Sequence, residues 1–202
     1  MSVVGITGGI GMGKSTIASM LSASGREVVD TDFIARQLTL PNGEAIPEIL
    51  SSFGPEVIAS DGGLNRAAMA ERIFNRSQDR LLLESILHPR IRRIWQDRVS
   101  TFRTRKSDPI FVVIPLLFET RSEQEFDHII CIACTLNDQR NRLRDRGFSE
   151  SDAEARIRSQ WSIEKKMDLS DTVVWTSCRL EITKRQLGDP LGSCLMSPAS
   201  GN

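Results

Sequence analysis

Residues 8 to 15 read GGIGMGKS, four glycines in six positions followed by Lys14 and Ser15. The spacing is that of GxxxxGK[ST], and its chemistry is phosphate capture. With no side chains in the way, consecutive backbone N–H groups turn inward around β- and γ-phosphates. A helix starting directly after the loop adds unsatisfied N–H groups and the positive end of its dipole. Lys14 then bridges the β- and γ-phosphates, the Ser15 hydroxyl ligates Mg²⁺, and Thr16 reaches the α-phosphate. An apolar run, VVGIT at residues 3 to 7, leads in, and an apolar helical pattern leads out, which is the context the motif requires. The predicted ligand is a nucleoside triphosphate; the loop alone does not name a reaction.

A second candidate group is VVDTD at residues 28 to 32. Asp30 and Asp32 follow an apolar run, so in a parallel sheet they share an edge with the phosphate loop. One of them can orient and deprotonate an attacking alcohol while Lys14 and Mg²⁺ neutralise the transferring phosphoryl group, and the loose transition state makes positioning count for more than base strength. The same aspartates also suit capping of the helix that FIARQL opens. Further along, Arg140 with Arg144 and Arg142 with Arg146 are spaced i, i+4, so each pair shares one face of a helix. One face can meet phosphates and the other solvent, in a mobile lid that keeps water from competing as acceptor. Absent motifs narrow the reaction: there is no NKxD segment to read guanine and no serine-glycine-glycine signature of an ABC-type ATPase. After IFVVI comes Pro115, and the first acid is Glu119. The pattern favours a small kinase.

Positioning these groups requires strands that end at the loop and at the aspartates. The β-branched runs VVGIT, REVVD (26 to 30), PIFVVI (109 to 114), DHIICIA (127 to 133) and DTVVWT (171 to 176) alternate with helical patterns. They predict an α/β P-loop NTPase fold, three-layered, with a parallel five-stranded sheet flanked by helices. Residues 1–30 and 109–187 make the nucleotide-binding core, carrying a helical lid over about 136–168. Residues 31–108 hold helical patterns and no strand, and read as a helical substrate-binding insertion. Residues 188–202, poor in charge and rich in Gly, Pro and Ser, read as a flexible tail.

Composition bounds the partners. A chain of 202 residues with 40% hydrophobic content buries a full core. Lys plus Arg number 26 and Asp plus Glu number 26, so no global field recruits nucleic acid or an acidic membrane, and an anionic ligand must be captured locally. The amino terminus has no basic region ahead of its apolar residues, and glycines interrupt the apolar run soon after it begins, so a cytoplasmic protein is expected. Cys131, Cys134, Cys178 and Cys194 are scattered. The CxxC lies in HIICIAC, where a strand would point the two sulfurs apart, and these are expected to be structural cysteines.

Together the constellation resembles the dephospho-coenzyme A kinase family. The resemblance rests on TGGIGMGKST at 7 to 16, DTD at 30 to 32 in place of the family's usual DAD, His88-Pro89, PLLFE at 115 to 119, Gln139 with Arg142, and RIRSQWSIEKKMDLSD at 156 to 171. It covers residues 1 to about 187 and implies transfer of the γ-phosphoryl group of ATP, with Mg²⁺, to the ribose 3'-hydroxyl of dephospho-coenzyme A. It further implies Asp32 as base, Lys14 and Arg142 as charge stabilisers, and Gly11, Met12, Gly13, Lys14, Ser15 and Thr16 as the ATP-binding set. Asp30, His88, Leu117, Phe118 and Glu119 would border the acceptor. The chain departs from the family at Met12, where serine is common and an outward side chain is expected. It departs again at Thr176 and Cys178, where asparagine and glycine are usual. A kinase of another small alcohol or nucleoside monophosphate, and a nucleotide-binding regulator without turnover, are the alternatives.

Overall fold

The computed structural model describes residues 2–103 and 109–195. The end of the expected insertion, 104–108, and the end of the expected tail, 196–202, lie outside the described residues. Five strands, β1 (Val3–Gly8), β2 (Glu27–Asp30), β3 (Ile110–Val113), β4 (His128–Ala133) and β5 (Thr172–Trp175), form one sheet in the order β2-β3-β1-β4-β5. Every pairing is parallel. Strands β1 and β3 are buried at every position, as a sheet covered on both faces requires. The register aligns Ile6 with Val113 and Ile130, and Val113 with Asp30, so the carboxyl ends of the strands open on one edge. The chain leaves β1 for β2 on one side and later places β4 on the other. The loop after β1 therefore sits at the switch point where parallel sheets bind ligands.

The helices among the described residues are α1 (Lys14–Ala23), α2 (Thr31–Leu38), α3 (Ile46–Phe53), α4 (Arg66–Asn75), α5 (Ser77–Arg103), α6 (Leu136–Asp145), α7 (Glu150–Arg158), α8 (Ile163–Asp168) and α9 (Leu180–Leu195). The core joins Val4, Ile6, Phe111, Ile130, Ile132 and Val174 of the sheet to Ile17 and Leu21 of α1 and Leu187 of α9. Each large side chain buried there contributes about 1.5–3 kcal/mol. Leu187 anchors α9, and the helix runs on to Leu195 through a stretch expected to lack regular structure.

Contacts divide the chain into two units: Thr31–Thr101, and the described residues before and after it. The first of these is helical, with an isolated antiparallel bridge between Ile58 and Leu64. Its buried residues include Ile34, Ile49, Phe53, Met69, Ile86 and Trp95. Arg72 ties three parts of this unit together by donating to Asp79 (2.7 Å), Glu56 (2.8 Å) and the carbonyl of Phe53 (2.7 Å).

Cys131 and Cys134 are both buried and unbridged. Burial pushes the Cys131 thiol up to about 11 and raises Cys134 as well, so both are protonated and unreactive at neutral pH. Among the described residues, no helix is long and apolar enough to cross a membrane.

Candidate active site

The phosphate loop takes its shape from backbone that side chains would obstruct. Gly8 has φ 141°, and a Cβ there would collide with the carbonyl oxygen of Ile132 on the neighbouring strand. Gly13, at φ 99°, is the N-cap of α1; no side chain caps that helix and its first turn holds no acid. The first N–H groups of a helix point away from its own acceptors, and at α1 the N-cap offers no side chain to occupy them. Lys14 adds an ammonium group whose Nζ donates to the carbonyls of Gly8 (2.7 Å) and Gly9 (2.9 Å), arching over the loop. Ser15 and Thr16 lie exposed in the same turn. Uncapped amides, a helix dipole and an ammonium group fit a polyphosphate. Among the described residues no cluster of three His, Cys, Asp or Glu could hold a metal ion by itself. Mg²⁺ here would take phosphate oxygens and water together with the Ser15 hydroxyl.

The loop is braced by side chains from distant parts of the chain. Gln139 of α6, 2% exposed, donates its Nε2 to the carbonyl of Ile10 (2.7 Å), and Gln160, between α7 and α8, accepts from the N–H of Ile10 (2.9 Å). Just beyond β5, Thr176 directs its hydroxyl at the carbonyls of Met12 (2.9 Å) and Ala133 (3.2 Å). Arg142 completes this side, donating to Thr176 Oγ1 (3.0 Å) and to the Thr176 carbonyl (2.7 Å), with Nη1 3.5 Å from the Gly11 carbonyl. Met12 corrects an expectation: its side chain turns inward, 2% exposed, and a Cβ on Gly9 would stand 2.9 Å from its sulfur. An apolar thioether at that position joins the packing rather than facing solvent.

The remaining expected site residues separate by element. Arg142 faces the loop, whereas Arg140 of the other pair binds Glu154 of α7 (2.6 Å) and Arg144 binds Asn141 (3.0 Å). Asp30 ends β2, in register with Val113 and so two strand spacings, about 10 Å, from Ile6 of β1. Asp32 is exposed in the first turn of α2, and His88 is half-buried on α5, both within the helical unit. The side chains of Leu117 and Phe118 are buried. Leu117 is 0% exposed and fills the space over Gly5, and Phe118, 4% exposed, lies parallel to the Trp161 ring with centroids 6.5 Å apart. Their apolar surface is worth more in the core than against a polar acceptor. Glu119 accepts from Lys166 Nζ (2.8 Å) and from the N–H of Trp161 (2.9 Å). Gln160, Lys166 and Thr176 carry no role by residue type, although the first two fall within the RIRSQWSIEKKMDLSD stretch. Only their contacts reveal what they do.

A family model described as dephospho-CoA kinase matches residues 2–181. The chain belongs to the dephospho-CoA kinase family. It is 37% identical over 174 residues to a dephospho-CoA kinase of Bdellovibrio bacteriovorus, covering 86% of this chain and 87% of the relative. With one from Moorella thermoacetica the identity is 38% over 186 residues, covering 91% and 88%. Among solved structures, a Thermus thermophilus protein aligns with TM-score 0.78 and 32% identity over 95% of this chain and 97% of that one. Thr176 serves as a brace of the phosphate loop.

Proposed function

We propose that this member of the dephospho-CoA kinase family transfers the γ-phosphoryl group of ATP to the ribose 3'-hydroxyl of dephospho-coenzyme A, giving coenzyme A and ADP, the last step of coenzyme A synthesis. The reading is carried by the uncapped, acid-free start of α1 beneath Lys14 in a chain whose family match runs from residue 2 to 181. In the reaction the 3'-oxygen forms a bond to the γ-phosphorus as the bond to the β,γ-bridging oxygen breaks, and the acceptor's proton passes to Asp32. Lys14 lies along the β- and γ-phosphates, and the amides of residues 11 to 16 hold the chain of phosphates in line for attack. Arg142, beside the Gly11 carbonyl, neutralises charge on the transferring group. Ser15 would hold Mg²⁺, which would supply further charge neutralisation during the transfer. Asp30, His88 and Glu119 border the acceptor, while Leu117 and Phe118 support that border from the core. Helices α6 to α8 exclude water, and the protein works in the cytoplasm on a soluble acceptor.

ADP release measured across dephospho-coenzyme A, nucleoside monophosphates, shikimate and gluconate tests this. The expected result is a preference for dephospho-coenzyme A by orders of magnitude in kcat/KM. Comparable rates on another acceptor would reassign the substrate, and Mg-ATP binding with no phosphorylated acceptor would favour a regulator. Replacing Asp32→Asn should lower kcat about 10²- to 10⁴-fold with the fold intact, and near-normal turnover would remove the base role.

A further inference from the structure

Lys166 alone carries a charge among the buried described residues, and it is 0% exposed. Its ammonium group donates to the carbonyl of Pro115 (2.7 Å) and to Glu119 Oε1 (2.8 Å). Taking two charges out of water costs several kcal/mol each, and a pair of apolar side chains of equal volume would serve stability as well or better. The pair is also imperfectly satisfied, because Glu119 Oε2 is buried with no hydrogen-bond partner. Such a feature has its value in geometry, and its geometry leads to the phosphate loop. Glu119 Oε1 accepts a second bond, from the N–H of Trp161 (2.9 Å). The preceding residue, Gln160, accepts from the N–H of Ile10 inside the loop (2.9 Å). Two flanking contacts hold Trp161 in place: Phe118 lies parallel to its ring, and Lys165 Nζ stands 3.3 Å from its centroid. Pro115 O, the other acceptor of Lys166, also receives the Thr7 hydroxyl (3.2 Å), one residue before the loop begins. Lys166 therefore touches the loop's support on both sides.

We propose that the buried Lys166–Glu119 pair is a positioning device, clamping the Gln160–Trp161 segment so that Gln160 fixes Ile10 and holds the phosphate loop in its nucleotide-binding shape. The inference rests on the reading of this loop as a triphosphate site, and not on the identity of the acceptor. Lys166 touches no substrate in this role, and Glu119 contributes to it through the Trp161 N–H rather than through the acceptor it borders. They act through Gln160, and their effect falls on nucleotide affinity more than on acceptor affinity.

A double-mutant cycle on the full chain tests it, using Lys166→Met, Gln160→Met and the pair, with ATP binding measured by calorimetry without acceptor and thermal unfolding measured alongside. Each single variant should weaken ATP binding about tenfold, and the double variant should be no worse than about tenfold, because both remove one linked constraint. Dephospho-coenzyme A affinity should stay within about twofold in all three. Adding Glu119→Gln to Lys166→Met should restore ATP affinity, since a neutral amide oxygen still accepts from Trp161 N–H without an unpaired charge. Multiplying effects in the cycle, or a lowered Tm with unchanged ATP affinity in Lys166→Met, would overturn the proposal in favour of a purely structural pair. ATP binding is read with no acceptor present, so failure of the dephospho-coenzyme A assay with the cycle intact would discard the substrate and keep the clamp.

Discussion

Helix α1 and helices α6 to α8 begin in opposite ways. Each of α6 to α8 closes its own first turn: Thr135 accepts from Asp138 N–H (3.1 Å), Ser149 from Asp152 N–H (3.1 Å) and Ser162 from Lys165 N–H (3.3 Å), and each first turn contains an acid. Helix α1 has glycine at the same place, no side-chain acceptor and no acid. Capping residues and acids stabilise a helix by occupying its free amides and its positive end. Where they are withheld, that end remains available to an external anion. One chain thus uses a single device in two ways: α6 to α8 turn it to their own stability, and α1 leaves it open for a ligand.

Four changes probe this contrast, in descending order of effect. Replacing Lys14→Ala removes the ammonium from the open end and should lower kcat roughly 10²- to 10³-fold in a steady-state assay, with Tm unchanged. Thr16→Asp gives α1 the first-turn acid that α6 to α8 have; like charge against a triphosphate should weaken ATP binding by more than about 100-fold. In the same variant the folded state should gain up to about 1 kcal/mol from the dipole, so stability and affinity move in opposite directions. Thr135→Ala uncaps α6 and should cost about 1 kcal/mol, about 2–4 °C in Tm by calorimetry. The smallest effect is pH-dependent. The Arg140 hydrogen bond holds the Glu154 carboxyl below its ordinary range, and hydrogen bonds from Ser177 and then Thr135 do the same for Asp138. A folded-state value below the unfolded one means the stabilisation is present above the unfolded value and lost as pH falls through the folded one. Protection factors of amides in α6 and α7, corrected for the intrinsic pH dependence of exchange, should therefore fall on acidification below the ordinary carboxylate range, and Glu154→Gln should flatten that response.

The elements that carry the site were largely legible in the chain. The VVGIT, PIFVVI and DHIICIA runs announce buried parallel strands because both of their faces are covered, so no polar alternation interrupts them. GGIGMGKS announces a phosphate loop because few other purposes need so many bare amides before a lysine. The side chains around the loop were less legible. A loop position suggests an outward side chain at Met12, yet it is buried; the resemblance puts Leu117 and Phe118 beside the acceptor, and both side chains are buried. For Leu117 and Phe118, the neighbours that decided which way each points, Gly5 and Trp161, lie far away in sequence.

Local sequence sufficed for the sheet, the glycine loop, the exposed serine-threonine turn after Lys14 and the family, because each depends on backbone preference or on residue type at fixed spacing. Tertiary structure alone decided that Gln139, Gln160, Arg142 and Thr176 converge on Ile10, Gly11 and Met12, and that Lys166 is buried against Glu119. Those residues are separated from their partners by scores of positions, and a hydrogen bond only a few ångströms long becomes visible once the sheet has folded the chain back on itself.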